Sequence, residues 1–229
     1  MNSSAILMRN PIKIKMKDII IYGFGGFGHE VACVINHINQ VEPTWNIVGY
    51  IDDGVEAGTE CKYGKVLGNI DVLNSWKTPV SVAIAVGSPK YLEEIPSKIT
   101  NPLVDFPNII APNVFYFDKE SVVMGKGNII TFGCRFSCNI NMVDFNVLDG
   151  NISFGHDVVL GSYNMLFPEV RISGQTTIGN KNYFGSRCFA AQCLKIGNEN
   201  RFGAGTYILR KIKDGGLYMG NPAKKISIE

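Results

Sequence analysis

The sequence predicts two unlike domains, a small parallel α/β domain followed by a parallel β-helix. Two patterns support this prediction: continuous apolar strands alternate with helices in the first half, and an uninterrupted six-residue period fills the second half. The composition agrees with a folded chain, because 45% of the 229 residues are hydrophobic, which is enough to build a core. The chain also contains 25 glycines, and this surplus over the average indicates many tight turns.

The charge balance and the hydropathy argue against several classes of protein. The formal net charge is only +2 and charged residues make up 18% of the chain, whereas a general nucleic-acid binder is normally strongly basic. No apolar run reaches the length of a membrane span. Residues 1–16 are too weakly apolar for a secretory signal peptide, so we expect an N-terminal extension that need not be ordered. The six cysteines lack metal-type spacing, which favours reduced thiols in a cytoplasmic protein.

The first domain is predicted over residues 17–104 as a small Rossmann-like unit, since strands that are apolar throughout alternate with helices. Apolar residues follow helical spacing from Val31 to Ile38. A stretch with three prolines at 101–113 marks the junction to the second domain. The predicted elements are, in order, a strand at 18–23, a helix at 29–40, a strand at 45–53, a short helix at 70–76, a strand at 80–87 and a helix at 91–99 broken by Pro96.

The second half follows a period of six. Fifteen successive hexad positions are apolar without an insertion, a run that chance would produce with a probability on the order of 10⁻⁵ per frame at this apolar content. In seven of the fifteen hexads the next residue is glycine. The apolar positions are Met124, Ile130, Phe136, Met142, Leu148, Phe154, Leu160, Leu166, Ile172, Ile178, Phe184, Ala190, Ile196, Phe202 and Ile208.

A longer period of 18 residues, or three hexads, is superimposed on the first, because asparagine recurs at this spacing. Three hexads therefore complete one coil, and stacked coils about 4.8 Å apart allow equivalent asparagines to form a ladder of hydrogen bonds. The pattern is typical of a hexapeptide parallel β-helix, which we expect over residues 105–229 with about five coils and a C-terminal tail. The period alone does not decide the handedness of the coil. The recurring residues are Asn128, Asn146, Asn164, Asn182 and Asn200.

A glycine-rich loop from Gly23 to Gly28 joins the first strand to the first helix. Glycines let backbone N–H groups approach an anion at the N-terminus of a helix. Asp52 lies 24 residues after Gly28, which is close to the spacing of about 20 residues in a dinucleotide-binding fingerprint. The domain has too few strands for a complete dinucleotide fold. From these residues alone, the loop is either a binding site for a phosphorylated ligand or a purely structural turn.

His156 is the only histidine in the second half, and it lies two residues after the hexad position Phe154, near a coil edge. A neutral imidazole accepts a proton near pH 7, so His156 is a candidate general base. The adjacent Asp157 could orient the ring, as carboxylates do in catalytic triads. The alternative is a solvent-facing histidine without a role. A β-helix zinc site would need three histidines, so we expect no metal.

Several stretches of the chain together resemble the sugar acyltransferases of the left-handed β-helix class. The resemblance covers about residues 17–227 and is greatest to the NeuD/PglD type, which comprises sialic acid O-acetyltransferases and bacterial nucleotide-amino-sugar N-acetyltransferases. It implies a left-handed β-helix, acetyl-CoA as the donor, a nucleotide-linked sugar as the acceptor, and a homotrimer with active sites between subunits. The stretches that carry it are YGFGGFGHE, GYIDD, AIAVG, the hexads, GHDVVLG and LYMGNPAKKI.

The resemblance also implies roles for single residues. His156 would be the catalytic base and Asp157 would raise its basicity. At Met165 the family has a second histidine near the thioester, so this chain departs from the usual pattern. The implied binding residues are Gly25, Gly26, Phe27, Asp52, Asp53 and Gly87 for the acceptor, and Met165, Ser186, Ala204 and Lys224 for acetyl-CoA.

Three functions are compatible with these residues. The first is N-acetylation of a UDP- or dTDP-linked 4-amino sugar for a bacterial surface glycan. The second is O-acetylation of a sialic acid or another sugar hydroxyl, in which case Asp52 and Asp53 need not contact a nucleoside. The third is a non-catalytic β-helix scaffold, a reading that Met165 and the unusual stretch at 188–193 favour.

Overall fold

A computed structural model describes residues 16–227 of the chain. Nearly all of the predicted N-terminal extension lies outside these residues. The predicted fold class is confirmed: an α/β sheet comes first and a β-helix follows. Within the described residues, no helix is both long and apolar enough to cross a lipid bilayer.

The first domain has six strands in the order β3-β4-β2-β1-β5-β6, parallel except for the β3–β4 hairpin. Ile19, Ile20 and Ile21 at the centre of the sheet are fully buried, as expected for a strand that is apolar on both faces. The elements are β1 (Lys17–Tyr22), α1 (Gly26–Val41), β2 (Trp45–Ile51), β3 (Glu60–Cys61), β4 (Gly64–Gly68), α2 (Ile70–Asn74), β5 (Val80–Ile84), α3 (Pro89–Lys98) and β6 (Val104–Asp105).

Three details of the first domain differ from the prediction. Helix α1 begins at Gly26, so the glycine loop supplies its first turn. Helix α3 continues through Pro96 to Lys98, because a proline this close to the C-terminal end removes little of the hydrogen-bond ladder. The β3–β4 hairpin has no counterpart among the predicted elements, since its strands are short and carry few apolar residues.

The second domain is a three-sided β-helix whose strands stack in parallel. Face A contains β7, β10, β13, β16, β19, β22 and β24, with β25 added antiparallel; face B contains β8, β11, β14, β17, β20 and β23; face C contains β9, β12, β15, β18 and β21. The strands are β7 (Ile109–Ile110), β8 (Phe115–Tyr116), β9 (Val122–Met124), β10 (Ile129–Ile130), β11 (Arg135–Phe136), β12 (Ile140–Met142), β13 (Val147–Leu148), β14 (Ser153–Phe154), β15 (Val159–Leu160), β16 (Met165–Leu166), β17 (Arg171–Ile172), β18 (Thr177–Ile178), β19 (Tyr183–Phe184), β20 (Phe189–Ala190), β21 (Lys195–Ile196), β22 (Arg201–Phe202), β23 (Tyr207–Ile208), β24 (Leu217–Met219) and β25 (Lys224–Ile226).

The β-helix is longer than the five coils that the hexads predict. Five coils have all three strands, a sixth is closed by an isolated bridge between Ile196 and Ile212, and β24 begins a further coil. The hexad period misses both ends because the end coils are irregular. The coil from Ile109 to its partner Ile129 is longer than three hexads, and the coil from Arg201 to its partner Leu217 is shorter.

The predicted asparagine ladder runs through the interior of the β-helix. Each of the five asparagines is fully buried. Oδ1 of Asn146 accepts hydrogen bonds from the backbone N–H and from Nδ2 of Asn164, at 2.9 and 3.0 Å, and the arrangement repeats at the next coil. A buried amide without hydrogen-bond partners loses its hydration free energy without compensation. A shift of one coil against the next would break these hydrogen bonds, so the ladder keeps the coils in register.

The two domains share one hydrophobic core cluster. Outward-facing residues of face A, namely Ile129, Val147 and Met165, pack in the same cluster as the buried strands of the first domain. Lys181 of the β-helix adds an ion pair to Glu93 of α3, with Nζ and Oε2 3.2 Å apart. Face A is therefore the side of the β-helix that holds the first domain.

Candidate functional site

His156 and Asp157 lie in the corner that joins β14 of face B to β15 of face C. Asp157 adopts the left-handed conformation, with φ of 57°. The turn brings the two neighbouring side chains together, so that Nδ1 of His156 lies 2.7 Å from Oδ2 of Asp157. The predicted pair is thus in direct contact.

A third residue, Asn139, completes this hydrogen-bonded chain. Nδ2 of Asn139 donates to Oδ1 of Asp157 at 2.9 Å. The hydrogen bonds from His156 and Asn139 lower the pKa of Asp157 below its ordinary value, because both stabilise the charged form. Asn139 was not among the predicted residues, although a count of three hexads back from Asp157 places it in the same corner one coil earlier.

The ionised carboxylate decides which nitrogen of His156 carries the proton. A carboxylate only accepts hydrogen bonds, so Nδ1 of His156 must be the donor. In the neutral ring, Nε2 then holds a free lone pair. The arrangement can therefore take a proton at Nε2, which is what a general base requires.

Gly174 makes room for the imidazole ring, and Gly155 makes room for the next coil. A Cβ atom placed on Gly174 would lie 2.7 Å from Nε2 of His156, and one placed on Gly155 would lie 2.5 Å from the backbone nitrogen of Gly174. Neither glycine has a positive φ, so the backbone conformation does not demand glycine here. These residues are small because the ring and the next coil lie against them.

The His156 corner is open on the surface of the single chain. The His156 side chain is 55% exposed and that of Asp157 is 44% exposed. Faces B and C, which meet at this corner, carry several exposed apolar residues. Exposed apolar residues in such numbers indicate a surface that another molecule covers. The exposed apolar residues of these faces and their corners are Phe115, Phe117, Val123, Phe132, Val143, Val159, Tyr207 and Leu209.

The glycine loop lies at the carboxyl end of β1, where α1 begins. Gly28 is required by packing, since an added Cβ would overlap the carbonyl oxygen of Gly23. By contrast, Gly25, Gly26 and Gly87 have neither a positive φ nor any atom within 4 Å of an added Cβ. They are the three glycines of the chain in this situation. Gly25 is the N-cap of α1, a position that glycine favours. Neither packing nor backbone conformation requires glycine at Gly26 and Gly87, and the missing side chains leave room for a ligand to approach the backbone closely.

Asp52 and Asp53 at the end of β2 hold the loops around these glycines. Asp52 accepts hydrogen bonds from the backbone N–H groups of Phe24 and Gly54, at 2.9 and 2.8 Å. Asp53 accepts one from the hydroxyl of Tyr22 at 2.6 Å and one from the N–H of Ile70 at 3.0 Å.

Both carboxylates therefore have structural partners that the sequence did not predict. Burial and the hydrogen bond to Asp53 raise the pKa of Tyr22. Asp53 remains exposed, while Asp52 is half-buried. Because a carboxylate has about four acceptor positions, each can still accept a hydroxyl or N–H of a ligand. Phe27, the remaining predicted acceptor residue, is half-buried and packs on the core of the first domain.

Ser186 and Ala204 lie in successive coils of a different corner, between faces A and B. The carbonyl oxygen of Ser186 accepts a hydrogen bond from the N–H of Gly205 at 2.8 Å. Ala204 is exposed and Ser186 is half-buried. In the single chain they therefore stand on another edge of the prism from His156. Lys224 is exposed in β25, where it pairs with Met219.

Met165, the remaining residue of the predicted donor site, lies inside the protein. Its side chain is only 2% exposed and packs in the core cluster that joins the two domains. The side chain is therefore buried in the single chain, and a contact of Met165 with acetyl-CoA stays a prediction. Within residues 16–227, no three histidine, cysteine or acidic side chains are grouped as metal ligands.

Comparisons with known proteins agree with this architecture. Residues 18–99 match the family model of the PglD N-terminal domain. No curated protein sequence matches the chain significantly. Among solved structures, the acetyltransferase domain of PglB from Neisseria gonorrhoeae in complex with acetyl coenzyme A has a TM-score of 0.82 and 23% identity, and the match covers 93% of this chain and 100% of that one.

Two further solved structures share the fold over a similar length. WeeI from Acinetobacter baumannii has a TM-score of 0.81 and 25% identity, with 93% of this chain and 100% of that chain covered. PerB from Caulobacter crescentus, in complex with CoA and GDP-perosamine, has a TM-score of 0.79 and 21% identity, with coverage of 93% and 99%. The chain thus has a PglD-type first domain and a left-handed β-helix.

Proposed function

We propose that this PglD-type left-handed β-helix protein is an acetyl-CoA-dependent N-acetyltransferase that acts on a nucleotide-linked amino sugar. The observation that carries the proposal is the hydrogen-bonded chain from Asn139 through Asp157 to His156, which leaves Nε2 of a neutral imidazole free to accept a proton. The PglB domain and PerB, which share the fold, bind acetyl coenzyme A and CoA in their solved structures.

The chemistry is attack of an amine on a thioester. The sugar nitrogen forms a bond to the acetyl carbon, the bond from that carbon to sulfur breaks, and the nitrogen passes its proton to Nε2 of His156. The proton then returns to the coenzyme A thiolate, so His156 ends the cycle neutral. Asp157 stabilises the imidazolium that forms in between.

Negative charge develops on the thioester oxygen during this attack. The backbone N–H of Gly174 lies in the coil beside the His156 ring, and within the described chain it donates no hydrogen bond to another residue. We assign it to this oxygen, because a preorganised backbone donor is an effective way to stabilise such charge.

The first domain would hold the acceptor. Gly25 and Gly26 leave the N-terminal end of α1 open to the phosphates of a nucleotide-linked sugar. Gly87 stands open at the end of β5, and the free acceptor positions of Asp52 and Asp53 suit the hydroxyls of a ribose. PerB binds GDP-perosamine, a nucleotide-linked amino sugar.

The donor would lie along the corner that contains Ser186 and Ala204, with Lys224 near its phosphates. Because this corner and the His156 corner are different edges of one prism, a complete site needs a second copy of the chain. Three copies packed through faces B and C would place His156 of one subunit beside the donor corner of the next, and would cover the exposed apolar residues there. We therefore propose a homotrimer, and we place it in the cytoplasm because the cysteine pattern favours reduced thiols.

The proposal is tested by the turnover of acetyl-CoA with a panel of acceptors. We expect release of free thiol with a UDP-, dTDP- or GDP-linked 4-amino sugar, and none with the corresponding sugar that carries a hydroxyl in place of the amine. Turnover with sialic acid alone would show O-acetylation instead. No turnover with any acceptor, together with no binding of acetyl-CoA in calorimetry, would show a non-catalytic scaffold.

A further inference from the structure

A cavity of about 250 Å³ lies between α3 of the first domain and face A of the β-helix. The wall from the first domain begins at Ser88, the residue that directly follows Gly87. The opposite wall contains Tyr183 and Arg201, which occupy equivalent positions of neighbouring coils. The cavity therefore adjoins Gly87, one of the proposed acceptor contacts.

Most cations of this cavity are already paired with carboxylates. Nζ of Lys181 lies 3.2 Å from Oε2 of Glu93 and 2.7 Å from Oε1 of Glu199. Lys90 lies 3.6 Å from Glu94 on the same helix. Lys181 is thus balanced by two carboxylates, whereas Lys90 is 70% exposed and its surface ion pair is weak.

Arg201 differs from these lysines. Among the ion pairs of the described residues, none involves Arg201. Its guanidinium lies 4.3 Å from the ring centroid of Tyr183, an arrangement that holds the planar group by one face. The N–H groups at its edge remain available to a ligand. A guanidinium held in this way is suited to bind two phosphate oxygens at once.

We propose that Arg201, positioned by Tyr183, binds the diphosphate of the nucleotide-linked acceptor from the β-helix side of the cleft. This inference rests on the proposed function, since it assumes that a nucleotide-linked acceptor reaches Gly87. The first domain supplies backbone N–H groups to the phosphates, and Arg201 supplies the side-chain charge that the glycine loop lacks. The acceptor then lies between the two domains, whose shared core fixes the position of one against the other.

The test compares Arg201→Ala with Arg201→Lys and with Lys77→Ala, an exposed cation of the first domain that lies outside the cavity. We expect Arg201→Ala to raise the KM for the nucleotide-linked sugar about tenfold, the usual order for one charge-assisted phosphate contact. The value of kcat and the KM for acetyl-CoA should not change. Arg201→Lys should recover part of the loss, and Lys77→Ala should behave as wild type.

Binding of UDP, dTDP and GDP in calorimetry separates the role of Arg201 from the proposed function. Tighter binding of a nucleoside diphosphate by wild type than by Arg201→Ala supports the inference. An unchanged acceptor KM in Arg201→Ala, or a rise in the KM for acetyl-CoA instead, overturns it while the proposed function stands. If wild type binds no nucleotide and turns over no nucleotide-linked sugar, the proposed function itself is wrong, and the inference falls with it.

Discussion

Gly174 and His156 are in such close contact that a single methyl group on Gly174 would lie 2.7 Å from Nε2 of the imidazole. Real Cβ atoms do not approach other heavy atoms this closely, so the ring would have to move. The corner backbone of Gly174 has no positive φ, and an alanine there would be tolerated by the coil itself. The glycine therefore serves the position of the proposed base.

This contact predicts that Gly174→Ala lowers kcat without unfolding the protein. We expect a loss of about 10²-fold, the order of effect that a misplaced catalytic group produces. The thermal unfolding midpoint should stay close to that of wild type. Ser173→Ala, a change of similar size in the same corner, is the matched control and should keep its activity. Full activity of Gly174→Ala would show that the ring does not need its present position.

A second prediction concerns the pKa of Asp157. Its pKa is lowered by hydrogen bonds from His156 and Asn139, so loss of the Asn139 amide should raise it toward the ordinary value. When the pH is lowered, the carboxylate of Asp157 should therefore become protonated at a higher pH in Asn139→Ala than in wild type. Carbon-13 NMR of the labelled carboxyl group measures this directly.

Asn151→Ala provides the control for the Asp157 measurement. Asn151 also has a positive φ, of 54°, but it lies in the corner between faces A and B, away from Asp157. It therefore reproduces the backbone strain of an alanine in the left-handed region without removing the hydrogen bond. The same Asp157 pKa in Asn139→Ala and wild type would contradict the role of Asn139.

Two glycines of the loop should respond in opposite ways to alanine. At Gly28 an added Cβ would overlap the carbonyl oxygen of Gly23, so Gly28→Ala should destabilise the protein by about 1–3 kcal/mol. At Gly26 nothing lies within 4 Å, so Gly26→Ala should keep the stability of wild type and weaken the binding of nucleotides about tenfold. Thermal denaturation and calorimetry measure the two effects. Unchanged nucleotide binding in Gly26→Ala would remove the loop from the acceptor site.

The proposed trimer predicts the effect of a charge on face C. Val159 is 39% exposed and lies three residues after His156. Placed in a dry interface, the carboxylate of Val159→Asp would carry a large desolvation cost, so this variant should be monomeric and inactive. Val41→Asp, on the exposed surface of α1, should remain trimeric. Light scattering after size exclusion gives the mass, and an active monomer of wild type would contradict the shared site.

Much of the β-helix could be predicted because its period repeats locally. The inward residues, such as Phe136 and Phe184, follow directly from the hexad count, and the asparagine ladder follows from counting every third hexad. The end coils were missed because their lengths differ from three full hexads.

The site was harder to predict than the fold. The contact of His156 with Asp157 lies within two neighbouring residues and could be anticipated. Asn139 and Gly174 contact the pair from neighbouring coils. These contacts depend on the side-chain orientations of Asp157 and His156, which the sequence does not show. The burial of Met165 could not be predicted, because its surroundings are set by the docking of the first domain on face A, which no local pattern reports.

The central claim is that His156 is the base. The decisive measurement is the kcat of His156→Ala in acetyl transfer to the best acceptor, with acetyl-CoA binding followed by calorimetry and with His37→Ala, an exposed histidine of α1, as the control. We predict that kcat falls by about 10²–10⁴-fold, the usual contribution of a general base, while acetyl-CoA still binds. A kcat equal to that of wild type and of His37→Ala would contradict the claim.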